Sequence, residues 1–343
     1  MTAELSIERV VSGPGEATPP RRQGSVRRTA TIDSRWPDGF GRQVRMVGRA
    51  RDLLTPADGS APRVLSEDVL YVGAAMDRTI EDIRSEPERP SLQQLVGCRG
   101  GGRLRGALAQ AVPDELAAGT PLYLLLDDLS GATLVAGFAY SQWPDEQSYW
   151  WQEGAEKPKP PQRRMEGICA GFRPGASSLN PDGTSRFIHD VRAVEPVQRA
   201  DDPLAWHHIE DVDEVSMRRA RRIDVCLTDV IEIDSMFQDS CPVPAGGRVA
   251  VHEYGLRATA DPLDLTLLSV QADPHVLPYR ECPMAADNVE RLIGTPLTQL
   301  REVVLERLKG TLGCTHLNDA LRALAEVPVL AEPLRDEASR LGL

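Results

Sequence analysis

From residue 25 onward the chain alternates apolar and polar positions with a period of two, then changes to helical spacing, and later repeats that order. Val26, Thr29, Thr31 and Ile32 form a branched run that ends at the turn Trp36-Pro37-Asp38-Gly39, and Val44, Met46 and Gly48 occupy alternate positions of 44–53. These two stretches predict antiparallel strands, and 64–73 and 79–85 predict two more. Residues 91–96, 103–112 and 120–129 then carry helical spacing. The same succession returns with strand-like stretches at 222–227, 231–237, 249–260 and 265–270 and helical ones at 287–292, 297–308 and 316–325.

The recurrence predicts an internally duplicated α+β protein: two antiparallel β-sheets, each followed by helices, packed as a pseudo-two-fold pair. Arg27-Arg28 aligns with Arg221-Arg222, Arg63-Val64 with Arg248-Val249, and Thr120-Pro121-Leu122 with Thr315-His316-Leu317 without gaps. The expected division is a disordered, polar, Pro/Gly-rich leader at 1–25, an N-terminal α+β half at 26–134, a connecting segment at 135–216, and a C-terminal α+β half at 217–343. The connecting segment holds four of the five tryptophans, Trp143, Trp150, Trp151 and Trp206, and a long aromatic-bearing connection of this kind serves as a lid or as packing across both halves.

Length and composition are consistent with this division. A chain of 343 residues exceeds the usual single-domain size of about 100–150. Lys and Arg number 39 against 51 Asp and Glu, and the net charge of -12 argues against a nucleic-acid or anionic-membrane partner and for a small-molecule substrate. The first 28 residues contain no apolar signal core, and the six cysteines are scattered, so reduced thiols and a cytoplasmic location are expected.

Candidate chemistry concentrates in the second half. On a regular strand over 249–260, Ala250, His252, Tyr254, Leu256 and Ala258 share one face and Glu253 and Arg257 the other. Thr315 is the expected N-cap of the last predicted helix, which puts His316 in its first turn, where the helix dipole favours a neutral imidazole. Cys314, just outside, would be a more acidic thiol if exposed. The aligned positions of the first half are Glu67, Gly119 and Pro121, so one site is expected, with His252, His316 and Cys314 catalytic and Glu253, Glu281 or Asp190 orienting a ring. Trp150, Trp151, Arg173 and Tyr254 are the expected substrate-binding residues. Adding Cys282 makes His252, Cys282, Cys314 and His316 a candidate tetrahedral zinc set, although the spacing matches no paired-Cys signature, and no cofactor is otherwise implied. The run Arg218-Arg219-Ala220-Arg221-Arg222 reads either as an anion-binding patch or as a charged lead-in to a strand.

Gly313-Cys314-Thr315-His316-Leu317, with the Val251-His252-Glu253 strand and the Glu281-Cys282-Pro283 turn, resembles the DUF2889 family of bacterial proteins of unknown function over about 222–330. The resemblance implies that His252, Cys282, Cys314 and His316 stand at the family's motif positions, and it supplies no reaction. The functional expectation is therefore an enzyme acting on a small organic acid or acyl intermediate by acid–base chemistry, of the hydrolase or lyase class. The alternatives are a noncatalytic small-molecule or partner-binding protein and a zinc-dependent hydrolase.

Overall fold

The computed structural model describes residues 13–39, 41–145, 163–186 and 189–341. It has an α+β architecture with nine strands in one sheet: β1 (Ser25–Arg35), β2 (Val44–Thr55), β3 (Arg63–Ala74), β4 (Ile80–Glu86), β5 (Arg192–Val194), β6 (Ser216–Leu227), β7 (Ile231–Pro242), β8 (Arg248–Ala260) and β9 (Leu267–Val276). The helices are α1 (Leu104–Ala111), α2 (Pro113–Ala118), α3 (Pro121–Val135), α4 (Leu300–Arg307), α5 (Thr315–Arg322) and α6 (Val327–Leu341).

The strands run β4-β3-β2-β1-β6-β7-β8-β5, with β9 also on β8, and every described pairing is antiparallel. Two separate sheets were expected; instead β1 pairs with β6 over its full length, from Ser25 opposite Cys226 to Arg35 opposite Ser216. Both strands are buried on both faces, and a strand made for burial but left as an edge would present an unpaired ladder, so the two four-strand units fuse through these strands.

The helices cover one face, and residues around 197–212 cover the other near the centre, together with the described part of the leader, 13–25. That part was expected to be disordered but is seated by Thr18 donating to the Val197 carbonyl and by Arg21 on Asp202. Arg28 reaches Glu326 and Arg221 reaches Asp128 on the helical face, whereas Thr29 and Thr31 meet both ring nitrogens of His207 on the opposite one. The arginine run lies within β6 itself. Its members alternate between faces and each meets a carboxylate: Arg218 meets Asp33, Arg219 meets Asp239, Arg221 meets Asp128, and Arg222 meets Asp224 and Asp234.

This pleat also moves the expected repeat register. Arg27 bonds Asp224 on the face away from the helices while Arg221 faces them, so the one-to-one match of Arg27-Arg28 with Arg221-Arg222 joins opposite faces. Pairs of the same geometry on the same face are Arg28 directly across from Asp52, at 2.6 Å to each oxygen, and Arg219 directly across from Asp239, at 2.9 and 3.0 Å. Between the helices, Arg322 clasps Asp127 at 2.8 and 3.1 Å, and Arg301 meets the same carboxylate at 3.0 Å.

Helix α3 begins where Thr120 caps the Tyr123 amide and Asp68 of β3 accepts the Leu122 amide at 3.1 Å. Among the described residues, the helical stretch Pro121–Gln142 is the one long and apolar enough to cross a membrane. Of its most apolar window, 78% is buried inside the molecule, which is how a core helix packs.

Candidate functional site

Three side chains converge where β7, β8 and the start of α5 meet. In the ladder Asp239 stands directly opposite His252, and a bulge follows between Asp239 and Ser240. The loop before α5 is held tightly: Asn318 donates from its amide nitrogen to the Cys314 carbonyl at 2.8 Å and from Nδ2 to the Leu308 carbonyl at 2.9 Å. A side chain at Gly313 would collide with that same carbonyl and with Asn318, so glycine is needed for this close approach. Cys314, with extended backbone, is the N-cap in place of Thr315, and the helix starts one residue earlier than expected, at Thr315. His316 remains in the first turn.

The imidazoles of His252 and His316 are stacked, with centroids 3.4 Å apart and planes inclined by 21°. His252 Nδ1 lies 3.2 Å from Asp239 Oδ2, and His316 Nε2 lies 3.9 Å from the same oxygen. Asp239 is fully buried and bidentate with the equally buried Arg219. Burial alone would raise the Asp239 pKa, but Arg219 and the two imidazoles hold it well below the usual carboxylate range. An ionised Asp239 can only accept a hydrogen bond, which places the proton of neutral His252 on Nδ1 and leaves Nε2 as the basic nitrogen. Burial, then the neighbouring His252 ring, push His316 well below an ordinary histidine despite Asp239, and its buried Nε2 makes no hydrogen bond. His316 is therefore neutral at physiological pH, as the helix-start argument expected.

The surrounding groups come from several segments. Phe237, on the same face of β7, lies 6.2 Å from His316. His189 packs against Phe138 and Tyr279, with ring centroids 5.4 and 5.5 Å away, and burial followed by the His252 charge lowers its pKa.

The sequence-predicted residues divide into groups. His252 and His316 come together, but with Asp239, and the donor atoms of these three lie within 4.8 Å of one another. Cys314 and Cys282 instead form a second cluster with Cys169 around the fully buried Tyr254 hydroxyl. Cys314 is only 4% exposed, and burial raises its thiol pKa, opposite to the acidic thiol expected of an exposed helix start. Tyr254 is likewise enclosed. Arg173 has its Nη1 against Met284 Sδ at 2.9 Å, and Glu281 accepts the amide and hydroxyl of Ser177, both at 2.9 Å. Glu253 points to the opposite sheet face, as the strand alternation requires, and bonds Gln238 and the Gly15 amide. Trp150 and Trp151 lie outside the described residues. Sequence reasoning missed Asp239 and named Arg219 only as part of the arginine run; the phase Ile231, Ile233, Ser235, Phe237 continues to Asp239, and that was the available signal.

As an ion site the trio has two obstacles. Nearly parallel rings direct their nitrogen lone pairs in parallel planes rather than toward one point, and Arg219 already occupies both Asp239 oxygens.

No curated protein and no solved structure matches the chain. Residues 217–330, the strands and helices that carry Asp239, His252 and His316, match the family model described as protein of unknown function, DUF2889.

Proposed function

We propose that the protein is an acid–base enzyme of the hydrolase or lyase class, acting on a small organic acid or acyl intermediate at the His252–His316 pair. The observation that carries this reading is one buried, arginine-clamped carboxylate serving two stacked imidazoles. Asp239 orients His252 and compensates the charge that His252 gains when Nε2 takes a proton from water or from a carbon acid. Two imidazolium rings at this separation repel strongly, so the pair accepts one additional proton and not two. His316, kept neutral, is the partner that hydrogen-bonds the oxygen on which charge develops.

The test is a panel of acyl thioesters, esters and hydroxy acids assayed with the parent, His252→Gln and Asp239→Asn. The expected result is turnover of at least one class, reduced by about 10²–10⁴ in either variant. Turnover unchanged in both variants would refute the assignment. A zinc-dependent hydrolase is the second reading, favoured by the closeness of the three donors. It requires the rings to leave their stack and Arg219 to release one oxygen, and near-stoichiometric zinc in the purified parent, absent from His316→Ala, would establish it.

We also propose that the two halves arose by duplication. Support comes from the matched Arg28–Asp52 and Arg219–Asp239 pairs and from Asp127 and Arg322, which occupy aligned helix positions and bind each other. In this alignment the position of His316 is Pro121 and that of Glu326, which meets Arg28, is Gly131, which abuts Arg219.

A further inference from the structure

On the sheet face away from the histidine pair, a cleft of about 480 Å³ lies over β7, β8 and β9, between the chain at 15–19 and the chain at 194–197. That volume is in the range of small-molecule sites. Its floor carries two polar side chains, Gln238 and Glu253, each 4% exposed. The Glu253 carboxylate accepts from two neutral donors at long range, the Gly15 amide at 3.2 Å and Gln238 Nε2 at 3.3 Å, and His275 borders it.

The lining is acidic. Five carboxylates, of Glu16, Glu195, Asp234, Glu253 and Asp273, face two arginines. Both arginines are already engaged, Arg222 with Asp224 and Asp234, and Arg257 with Asp273 at 3.0 Å. A buried carboxylate is costly unless a charge or strong donor compensates it. Burial raises the Glu253 pKa in spite of the Gly15 bond, His275 and Gln238, which is the behaviour of an anion under-compensated by its own protein. Met236 and Val197 supply apolar wall on this side of the sheet, and Asp234 and Asp273 stand at the rim.

We infer that this cleft binds a small aliphatic amine, its ammonium group on Glu253, its methylene chain along Met236 and Val197, and its outer end toward the rim carboxylates. The site does not depend on the acid–base reading, because Glu253 and His252 project from opposite faces of β8.

The probe is 1,4-diaminobutane, titrated calorimetrically into the full chain in about 0.15 M salt, which screens the general attraction of a chain of charge -12. Succinate, of the same length and opposite charge, is the control. Saturable 1:1 binding of the diamine without succinate binding is expected, weakened at least tenfold in Glu253→Gln and two- to threefold in Asp273→Asn. Amide shifts on diamine addition should centre on Gly15 and Gly255 in the parent, a readout that needs no variant. Absence of saturable binding, equal binding in Glu253→Gln, or shifts centred elsewhere would each overturn the inference.

Discussion

Gly131→Ala tests whether the Arg219 clamp governs the histidine pair. Gly131 lies in α3, more than a hundred residues from either histidine, yet its α-carbon abuts the guanidinium that holds Asp239. A Cβ built there overlaps Arg219 Nη1 and falls 2.5 Å from Cζ and 2.7 Å from Nη2. Ordinary contact needs about 3.5 Å, so the guanidinium, with Nη1 the nearest atom, must retreat by well over 1 Å. It has no slack, because its Nε and Nη2 bonds to Asp239 are already 2.9 and 3.0 Å. Retreat breaks at least one charge-assisted bond, a loss of about 1.5–3 kcal/mol, and the overpacking that remains adds about 1–3 kcal/mol. A destabilisation of about 2–5 kcal/mol is expected, read as a lower urea midpoint at unchanged slope. In the same protein the two imidazoles, observed by NMR, should titrate differently from the parent, since Asp239 is no longer fixed. A midpoint within about 0.5 kcal/mol of the parent, with unchanged histidine titrations, would refute the claim that Arg219 is immobile and that it positions Asp239.

Asp127→Asn leaves Arg322 and Arg301 without their shared carboxylate in the layer between helices and should cost about 3–5 kcal/mol by urea unfolding. Adding Arg322→Met should recover part of that loss, and strict additivity of the two changes would contradict a direct pair. His207, enclosed between Thr29 and Thr31, has its pKa lowered to about 3, by burial first and then by Arg51, Arg218 and Arg49. The unfolded chain therefore binds one proton more between about pH 6.5 and 3, so this stability is complete above pH 6.5 and falls with acid by about 1.4 kcal/mol per pH unit. Between pH 7 and 4.5 the parent should lose about 3 kcal/mol more than His207→Asn, and equal acid sensitivity would exclude His207 as the source. Asp68→Ala removes the acceptor of the Leu122 amide at the start of α3 and should cost about 0.5–2 kcal/mol by the same assay, whereas no change would mean that water replaces it.

What could be read from the sequence follows from the range of the interactions involved. Alternation within a strand and spacing within a helix are local, and the eight long strands and the helices α1, α3, α4 and α5 fall where those patterns lie. The pairing of β1 with β6 joins residues far apart in the chain and leaves no local mark, which is why two sheets were expected instead of one. Asp239 was missed for a boundary reason: β7 was read as ending at 237 and runs to Pro242, so the carboxylate facing His252 fell just outside the expected strand. His252 was legible because its neighbours Ala250, Tyr254 and Leu256 mark the buried phase of β8. Cys314 was placed correctly beside the helix, but its reactivity turned on exposure, which no local pattern encodes. The arginine run was ambiguous as a string of charges; only the pleat assigns each member to a face and a carboxylate.

The region that matches the family, 217–330, is built in this chain to depend on what precedes it. Strand β6 is central, with Arg219 and Arg221 directed at Asp128 of α3 and Arg218 at Asp33 of β1. Cutting the chain before residue 214 removes all three of these contacts and exposes a twelve-residue strand edge whose two faces are made for burial. Surface of that kind is covered by pairing with another strand, and the nearest equivalent of β1 is β6 of a second copy, antiparallel to the first. A fragment of residues 214–343 is therefore expected to be dimeric or insoluble by light scattering, and adding the 13–145 fragment should convert it to a one-to-one complex. A soluble monomer with cooperative unfolding and unchanged histidine titrations would show that the C-terminal unit needs neither β1 nor α3, and would remove the argument that Arg219 is held in place from both halves.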